Sequence, residues 1–169
     1  LLMKISVFTP CHKIDFLIRA AKSLQEQTHQ DYEWIIILNG DATHSEDKLK
    51  KSFSKNDLND VLPKTKIITF EDYSGYIGRL KKRCCSVASG EVVAELDHDD
   101  ELEKTCLEEL DKAFEDDSID FAHTHCYQYR GEKTETPYSP FWGWKYRKDE
   151  DTGRDITLEL SFAITFSLL

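Results

Sequence analysis

The chain has 169 residues, of which 40% are hydrophobic and 32% are charged, a balance typical of a folded globular domain rather than a disordered segment. Its net charge of −10 argues against a general nucleic-acid binder, because such proteins present a basic face to the phosphates. The sequence has no run of about 20 apolar residues, so we expect no transmembrane span.

The predicted elements alternate between strand and helix, which is the pattern of βαβ units in a parallel sheet. Short apolar runs predict four strands, at 3–8, 34–38, 66–70 and 92–96, the first of them ended by Thr9-Pro10. Apolar positions at helical spacing predict four helices, at 14–27, 45–53, 78–89 and 102–114, with a loop at 55–64. The predicted fold class is therefore α/β, with a mostly parallel central sheet flanked by helices.

The pattern is weaker after residue 115. We predict a hairpin formed by 121–130 and 134–138, a long loop at 137–154, and a return of apolar strand-like sequence at 156–169. The chain stops within this apolar run, so we expect it to be a fragment of a longer protein. The five cysteines contain no CxxC pair, which favours reduced thiols and a cytoplasmic location, with peripheral contact with a membrane left open.

The first predicted strand–helix turn lacks two common nucleotide-binding motifs. Thr9-Pro10-Cys11-His12 contains no glycine, so the dinucleotide fingerprint GxGxxG is absent, and GxxxxGK[ST] is absent as well. These absences disfavour an NAD-dependent enzyme and a P-loop NTPase.

The strongest chemical signal is Asp97-His98-Asp99-Asp100, which follows the apolar strand at 92–96 directly. Ligands of open parallel sheets bind at the carboxyl ends of the strands, where these carboxylates would gather. Closely spaced carboxylates repel each other unless a cation neutralises them, and their hard oxygens suit Mg²⁺ or Mn²⁺. The alternative is that Asp97 caps the next helix and the other residues form a solvated acidic run.

Four segments, in this order along the chain, resemble the family 2 glycosyltransferases and related GT-A enzymes. They are the strand and turn Ile5-Ser6-Val7-Phe8-Thr9-Pro10, the stretch 24–37 (LQEQT…YEWIII), the basic helix 78–90 that ends in Ala-Ser-Gly, and Leu96-Asp97-His98-Asp99-Asp100, which is like the family's DxD signature. The resemblance covers roughly residues 1–115.

This resemblance implies a Rossmann-like GT-A domain over 1–169. Its nucleotide-sugar-binding half would be 1–115, and 116–169 would be a partial, truncated acceptor-side region. The implied activity is the metal-assisted transfer of a sugar from a nucleotide-diphosphate sugar to an acceptor, with inversion of the anomeric centre. A UDP-sugar is the expected donor. The acceptor could be a glycan, a lipid-linked molecule or a protein.

The resemblance also assigns donor-site residues. Thr9 and Pro10 would lie beside the base of the nucleotide, and either Asn39 or Asp41 would bond the uracil or the ribose. The basic helix would supply one or two cations, for which Arg79 and Lys82 are the candidates. Asp97 and His98 would contact the donor. Asp99, with Asp97 directly or through water, would hold the Mn²⁺ or Mg²⁺ that bridges the diphosphate, where a divalent ion stabilises the leaving group.

Two parts of the site are predicted from the last third of the chain. The family's general base lies in a downstream Glu-Asp motif, for which Asp151 in Asp149-Glu150-Asp151 is a candidate, and the alternative is a base beyond Leu169. Trp142 and Trp144 lie in the densest aromatic patch, and they would either bind the acceptor, since aromatic faces stack on sugar rings, or form a small satellite core.

Two other functions are compatible with this fold. A sugar nucleotidyltransferase would share it, but such enzymes usually carry a glycine-rich first loop, which this chain lacks. A non-catalytic nucleotide-sugar-binding module is favoured by the early end of the chain and by the unplaced base.

Overall fold

The computed structural model describes residues 2–71 and 76–122 together with the backbone of four short strands between 126 and 157. A four-stranded, fully parallel sheet lies at the centre of the first part, with strand order β3-β2-β1-β4. Its strands are β1 (Ile5–Cys11), β2 (Tyr32–Leu38), β3 (Thr65–Thr69) and β4 (Val92–Glu95). The predicted α/β class with a parallel sheet is confirmed.

Four α-helices connect and cover these strands. They are α1 (Leu17–Gln25), α2 (Glu46–Lys55), α3 (Ile77–Val87) and α4 (Cys106–Ala113). Short 3₁₀ turns precede α1, α2 and β3, at Ile14–Phe16, Gly40–Ala42 and Leu62–Lys64. Among the residues described, no helix is long and apolar enough to cross a bilayer.

Several predicted bounds are wrong by a few residues. Thr9-Pro10 does not end the first strand, because both residues pair with β2, opposite Ile36 and Ile37. The helix predicted at 14–27 begins with a 3₁₀ turn and ends at Gln25, and the helix predicted from residue 102 starts only at Cys106. The predicted loop 55–64 contains a 3₁₀ turn and the buried side chains of Leu58 and Val61.

The core lies on both faces of the sheet. Alternate side chains of a strand point to opposite faces, so the continuous apolar run of β2 is buried on both. Trp34 points to the face covered by α1, α2 and α4, where its ring stacks on Phe53 at 5.8 Å and its indole N–H donates to Thr9 Oγ1 at 2.8 Å. Ile35 and Ile37 point to the other face, against Leu80 and Cys84 of α3.

Glu33 ties the amino-terminal edge of the sheet together. Its carboxylate accepts hydrogen bonds from the Ser6 hydroxyl at 2.6 Å and from the Ser89 backbone N–H at 2.6 Å, and it pairs with Lys66 at 2.6 Å. Burial alone would raise the pKa of Glu33, but these hydrogen bonds outweigh burial and lower it to about 2. The starts of β1, β2 and β4 are thereby joined through one charged group.

Gln27 and Thr28, which follow α1, form hydrogen bonds with the chain between β4 and α4. The side chain of Gln27 donates to the Glu103 carbonyl at 2.8 Å and accepts from the Leu107 N–H at 3.0 Å. Thr28 adds a backbone bond to the Lys104 carbonyl at 2.9 Å. These bonds fix the end of that loop, just before α4, to the segment that follows α1.

The strands after residue 122 form two antiparallel pairs. β5 (Cys126–Tyr129) pairs with β6 (Lys133–Thr136), which confirms the predicted hairpin. β7 (Tyr146–Lys148) pairs with β8 (Asp155–Thr157), so the segment 137–154, predicted to be a loop, contains a strand. The pairing partner of β7 comes after that segment, and the sequence pattern within the segment does not reveal it.

Candidate functional site

A cleft of about 500 Å³ opens at the carboxyl edge of the parallel sheet. It is lined by residues at or just beyond the ends of β1, β2 and β4 and by the first residue of α3, namely Pro10, His12, Asn39, Gly40, Asp41, Ile77, Asp97, His98 and Asp99. Six residues that the sequence predicts for the donor site thus line one cavity: Pro10, Asn39, Asp41, Asp97, His98 and Asp99.

The strand order explains why the cleft lies there. The chain passes from β1 to β2 and β3 on one side, and then returns to place β4 on the other side of β1. The loops after β1 and β4 therefore leave the sheet in opposite directions and open a crevice between them, which is the usual ligand site of such sheets.

The wall contributed by β2 is fixed by its backbone. The Asn39 N–H donates to the Cys11 carbonyl at 2.9 Å, and the Asn39 side chain is buried, with its amide donating to the Ile37 carbonyl at 3.3 Å. Gly40 has a φ of +53°, a conformation that favours glycine, and it turns the chain into the 3₁₀ turn that carries Asp41. Asp41 is exposed, so it can reach a ligand in the cleft.

His98 fills the floor between the two loops. Its ring lies 4.5 Å from the His12 ring and 6.0 Å from the Phe16 ring, measured between centroids. Burial lowers the pKa of His98, Asp99 opposes this effect at 3.5 Å, and His12 adds to the lowering. A neutral His98 is the consequence near pH 7, so its ring acts as a packing and hydrogen-bonding surface.

An ion pair with a buried carboxylate acts on Asp97. Lys81 of α3 pairs with Glu95 at 2.7 Å, and the Glu95 side chain is 4% exposed. Burial raises the pKa of Asp97, the charge of Lys81 opposes this effect, and the charge of Asp99 adds to it. Lys81 therefore favours the ionised form of Asp97, which is the form that binds a metal ion.

The chemistry of these side chains suits a hard divalent cation, although the protein does not enclose one by itself. Across the described parts of the chain, no three His, Cys, Asp or Glu side chains are close enough together to form a complete metal site. Mg²⁺ and Mn²⁺ sites commonly use one or two carboxylates and complete their shell with water and substrate phosphates. Asp97 and Asp99 line the cleft on one wall, and Asp41 lines it on the opposite wall.

Three predicted donor-site residues lie outside the lining of the cleft. Thr9 is fully buried, and its hydroxyl accepts the Trp34 indole N–H on the core side of β1. Arg79 and Lys82 are exposed on α3, because Leu80 and Cys84 occupy the face of the helix that packs on the sheet. Asp151, Trp142 and Trp144 lie outside the described residues.

The sequence-based donor site left out His12 and Ile77, and it took Arg79 and Lys82 from the basic helix rather than Lys81. His12 follows β1 at the same sheet edge as the aspartates, which is a signal that the predicted end of the strand at residue 8 obscured. The cation that acts on Asp97 could have been found from the spacing of Leu80 and Cys84, which sets the rotation of α3.

Several solved structures are similar to this chain. The structure of TarS from S. aureus is 25% identical, with a TM-score of 0.53, over 68% of this chain and 20% of that chain. TarS 1–349, also solved in complex with UDP, is 20% identical, with a TM-score of 0.60, over 77% of this chain and 38% of that chain. The mannosyltransferase PcManGT from Pyrobaculum calidifontis, solved in complex with GDP-Man and Mn²⁺, is 16% identical, with a TM-score of 0.43, over 60% of this chain and 29% of that chain.

The chain thus spans well under half the length of these solved relatives. No curated protein is similar enough to count as a match. The sequence model of glycosyl transferase family 2 matches residues 6–168, which is nearly the entire chain. The match includes β1 from Ser6 onward, β2 to β4 and every residue that lines the cleft, and the chain belongs to glycosyl transferase family 2.

Proposed function

We propose that this chain forms the donor site of a glycosyltransferase that uses a nucleotide-diphosphate sugar, with a UDP-sugar as donor and Mn²⁺ or Mg²⁺ as cofactor. The observation that carries the proposal is the cleft in which Asp41, Asp97 and Asp99 face one cavity at the point where the strand order reverses. An accumulation of carboxylates in a ligand cleft calls for a cation, and a nucleoside diphosphate supplies the remaining oxygen ligands.

The two walls of the cleft would contact different parts of the donor. Asn39 and Asp41 lie on the wall formed by β2, with Pro10 and His12 beside them, and this wall would hold the uracil and the ribose. Asp97, His98 and Asp99 lie on the wall formed by β4 and would face the diphosphate. UDP is the first nucleotide to test, because TarS 1–349, which shares the fold, has been solved with UDP.

Asp99, with Asp97 directly or through water, would hold the metal ion. A divalent cation there stabilises the negative charge that develops on the leaving diphosphate. The protein's own part is to keep Asp97 ionised through Lys81 and to support its neighbour His98 between His12 and Phe16. By family resemblance the displacement inverts the anomeric centre. The base would be Asp151 or a residue beyond Leu169.

A second candidate is a donor-binding module without transferase activity. It is favoured by the fraction of the relatives that the chain covers, 20% of TarS and 38% of TarS 1–349. The acceptor, whether a glycan, a lipid-linked molecule or a protein, would then be bound by other parts of a longer protein.

The deciding experiment is a calorimetric titration of UDP into the chain, with Mn²⁺ and with a chelator, on the wild type and on Asp99→Asn. Glu101→Gln is a matched control, because Glu101 lies in the same loop but pairs with Arg19 rather than lining the cleft. We expect metal-dependent UDP binding that Asp99→Asn reduces by at least tenfold and that Glu101→Gln leaves unchanged.

Equal UDP affinity with and without metal would remove the metal from the proposal. No UDP binding under any condition would contradict the proposed donor site. Hydrolysis or transfer assays with UDP-sugars then separate the two candidates. Turnover by this chain establishes the transferase, and binding without turnover favours the donor-binding module.

A further inference from the structure

The outer face of α3 carries a basic stripe. Tyr76, which caps the helix, is followed at helical spacing by Arg79 and Arg83, with Lys82 beside them, and all four residues are exposed. The opposite face, with Leu80 and Cys84, packs on the sheet. Residues three, four and seven apart share one face of a helix, so these side chains form a continuous surface rather than scattered charges.

This stripe is unusual for the charge of the chain. The net charge is −10, yet α3 (IGRLKKRCCSV) contains no acidic residue and four basic ones. Lys81, the only one of the four that is not exposed, is engaged by Glu95. The outer face of α3 is therefore a local concentration of positive charge on an acidic protein.

Large apolar side chains lie at the amino-terminal end of the same helix. Tyr76 is 70% exposed and Ile77 is 45% exposed. Exposed aromatic and aliphatic side chains beside lysine and arginine are typical of surfaces that lie on a lipid bilayer, where the apolar groups enter the interface and the cations meet anionic headgroups. Binding of a soluble anionic polymer would need the basic side chains but not the exposed apolar ones.

We propose that α3 is a membrane-contact face, in which Tyr76 and Ile77 enter the interface and Arg79, Lys82 and Arg83 meet the headgroups of anionic phospholipids. Ile77 also lines the cleft, so the contact would bring the mouth of the cleft to the membrane surface. The inference concerns the surface on which the protein works, and it holds whether or not the cleft binds UDP.

Sedimentation with lipid vesicles tests this proposal directly. The full chain is mixed with vesicles of phosphatidylcholine alone or of phosphatidylcholine with phosphatidylglycerol, at low and high salt. We expect binding only to the anionic vesicles and weaker binding at high salt. Arg83→Glu should weaken it by about fivefold or more, because each basic residue near such a surface contributes a factor of this size. Tyr76→Ala should reduce the binding that remains at high salt.

Lys51→Glu is the matched control, because it makes the same change of charge at an exposed position on α2. An equal loss in Lys51→Glu and Arg83→Glu would overturn the proposal, since net charge alone would then explain the binding. Binding to neutral vesicles, or Arg83-dependent binding to soluble polyphosphate without vesicle binding, would overturn it as well. Circular dichroism verifies folding, and Arg83→Gln is a milder substitute if Arg83→Glu fails to fold.

Discussion

The imidazole ring of His12 lies 4.5 Å from that of His98, between centroids, with the two ring planes tilted by 60°. The two residues come from loops that follow neighbouring parallel strands, β1 and β4. This contact joins the wall proposed to hold the nucleoside to the wall proposed to hold the diphosphate. It therefore links the two halves of the proposed donor site.

The first prediction concerns His12. Its truncation in His12→Ala removes both an aromatic face of the cleft and the support of His98, and aromatic contacts contribute roughly 0.5–1.5 kcal/mol. We expect UDP affinity to fall by up to about tenfold in calorimetry. His44→Ala is the control, because His44 is exposed and does not line the cleft. An unchanged affinity in His12→Ala would remove His12 from the site.

The second prediction concerns the cation that acts on Asp97. Burial raises the pKa of Asp97 and Lys81 opposes this, so Lys81→Met should raise the pKa of Asp97 further. Metal binding needs the ionised carboxylate, and it is lost as the pH falls through this pKa. We therefore expect the midpoint for loss of Mn²⁺-dependent UDP binding to move to higher pH.

Lys81→Met leaves Glu95 buried without its partner, which itself destabilises the fold. The double variant Lys81→Met/Glu95→Gln removes both charges and keeps the test usable. Lys51→Met, at an exposed position on α2, is the control for loss of one charge. An unmoved midpoint in both Lys81 variants contradicts the prediction.

The third prediction is a pH dependence of stability. The pKa of Glu33 is about 2 in the folded chain against an ordinary value of 4.5, so its contribution to stability is complete above pH 4.5 and is lost as the pH falls towards 2. We expect Glu33→Gln to lower the free energy of unfolding by about 3 kcal/mol at neutral pH, and the difference to shrink below pH 4.5.

Urea unfolding at a series of pH values measures this difference between the wild type and Glu33→Gln. Glu26→Gln serves as the control, because Glu26 is exposed at the end of α1. A difference that stays constant from pH 7 down to the acid transition would show that the carboxylate charge is not the stabilising feature.

The fourth prediction contrasts two glycines. A Cβ at Gly90 would lie 2.5 Å from the Lys4 carbonyl oxygen and 2.7 Å from the Ser6 backbone nitrogen, so the backbone would have to move. A Cβ at Gly78, within α3, has no heavy atom within 4 Å. We expect Gly90→Ala to destabilise the fold by about 1–3 kcal/mol and Gly78→Ala to stabilise it by up to about 1 kcal/mol. Thermal unfolding of both variants checks the contrast, and equal effects would contradict it.

The sequence reveals the sheet well, because strands buried on both faces appear as continuous apolar runs such as Trp34–Leu38. It places the ends of the elements less well, since pairing decides them: Thr9 and Pro10 lie in β1 because Ile36 and Ile37 of β2 are opposite. Local propensity alone predicts a break at a proline.

The candidate site shows the same division. Asn39, Asp41 and Asp97 could be predicted, because polar residues that directly follow buried strands gather at one sheet edge. The family resemblance assigns Arg79 and Lys82, but the face that each cation occupies depends on how α3 packs. This packing brings Lys81 to Glu95. The contact between His12 and His98 joins residues far apart in sequence, which no local pattern contains.

The pairing of β1 with β4 also determines when the cleft can form. Ile5 of β1 pairs with Val92 of β4, so β1 lacks one of its two neighbouring strands until the chain beyond β3 and α3 has been made. Contacts between residues so distant in sequence form slowly, because the chain loses the entropy of closing a long loop before the contact stabilises it. During synthesis on the ribosome, β1 to β3 can therefore assemble first. The cleft is complete only after Asp97, His98 and Asp99 have emerged.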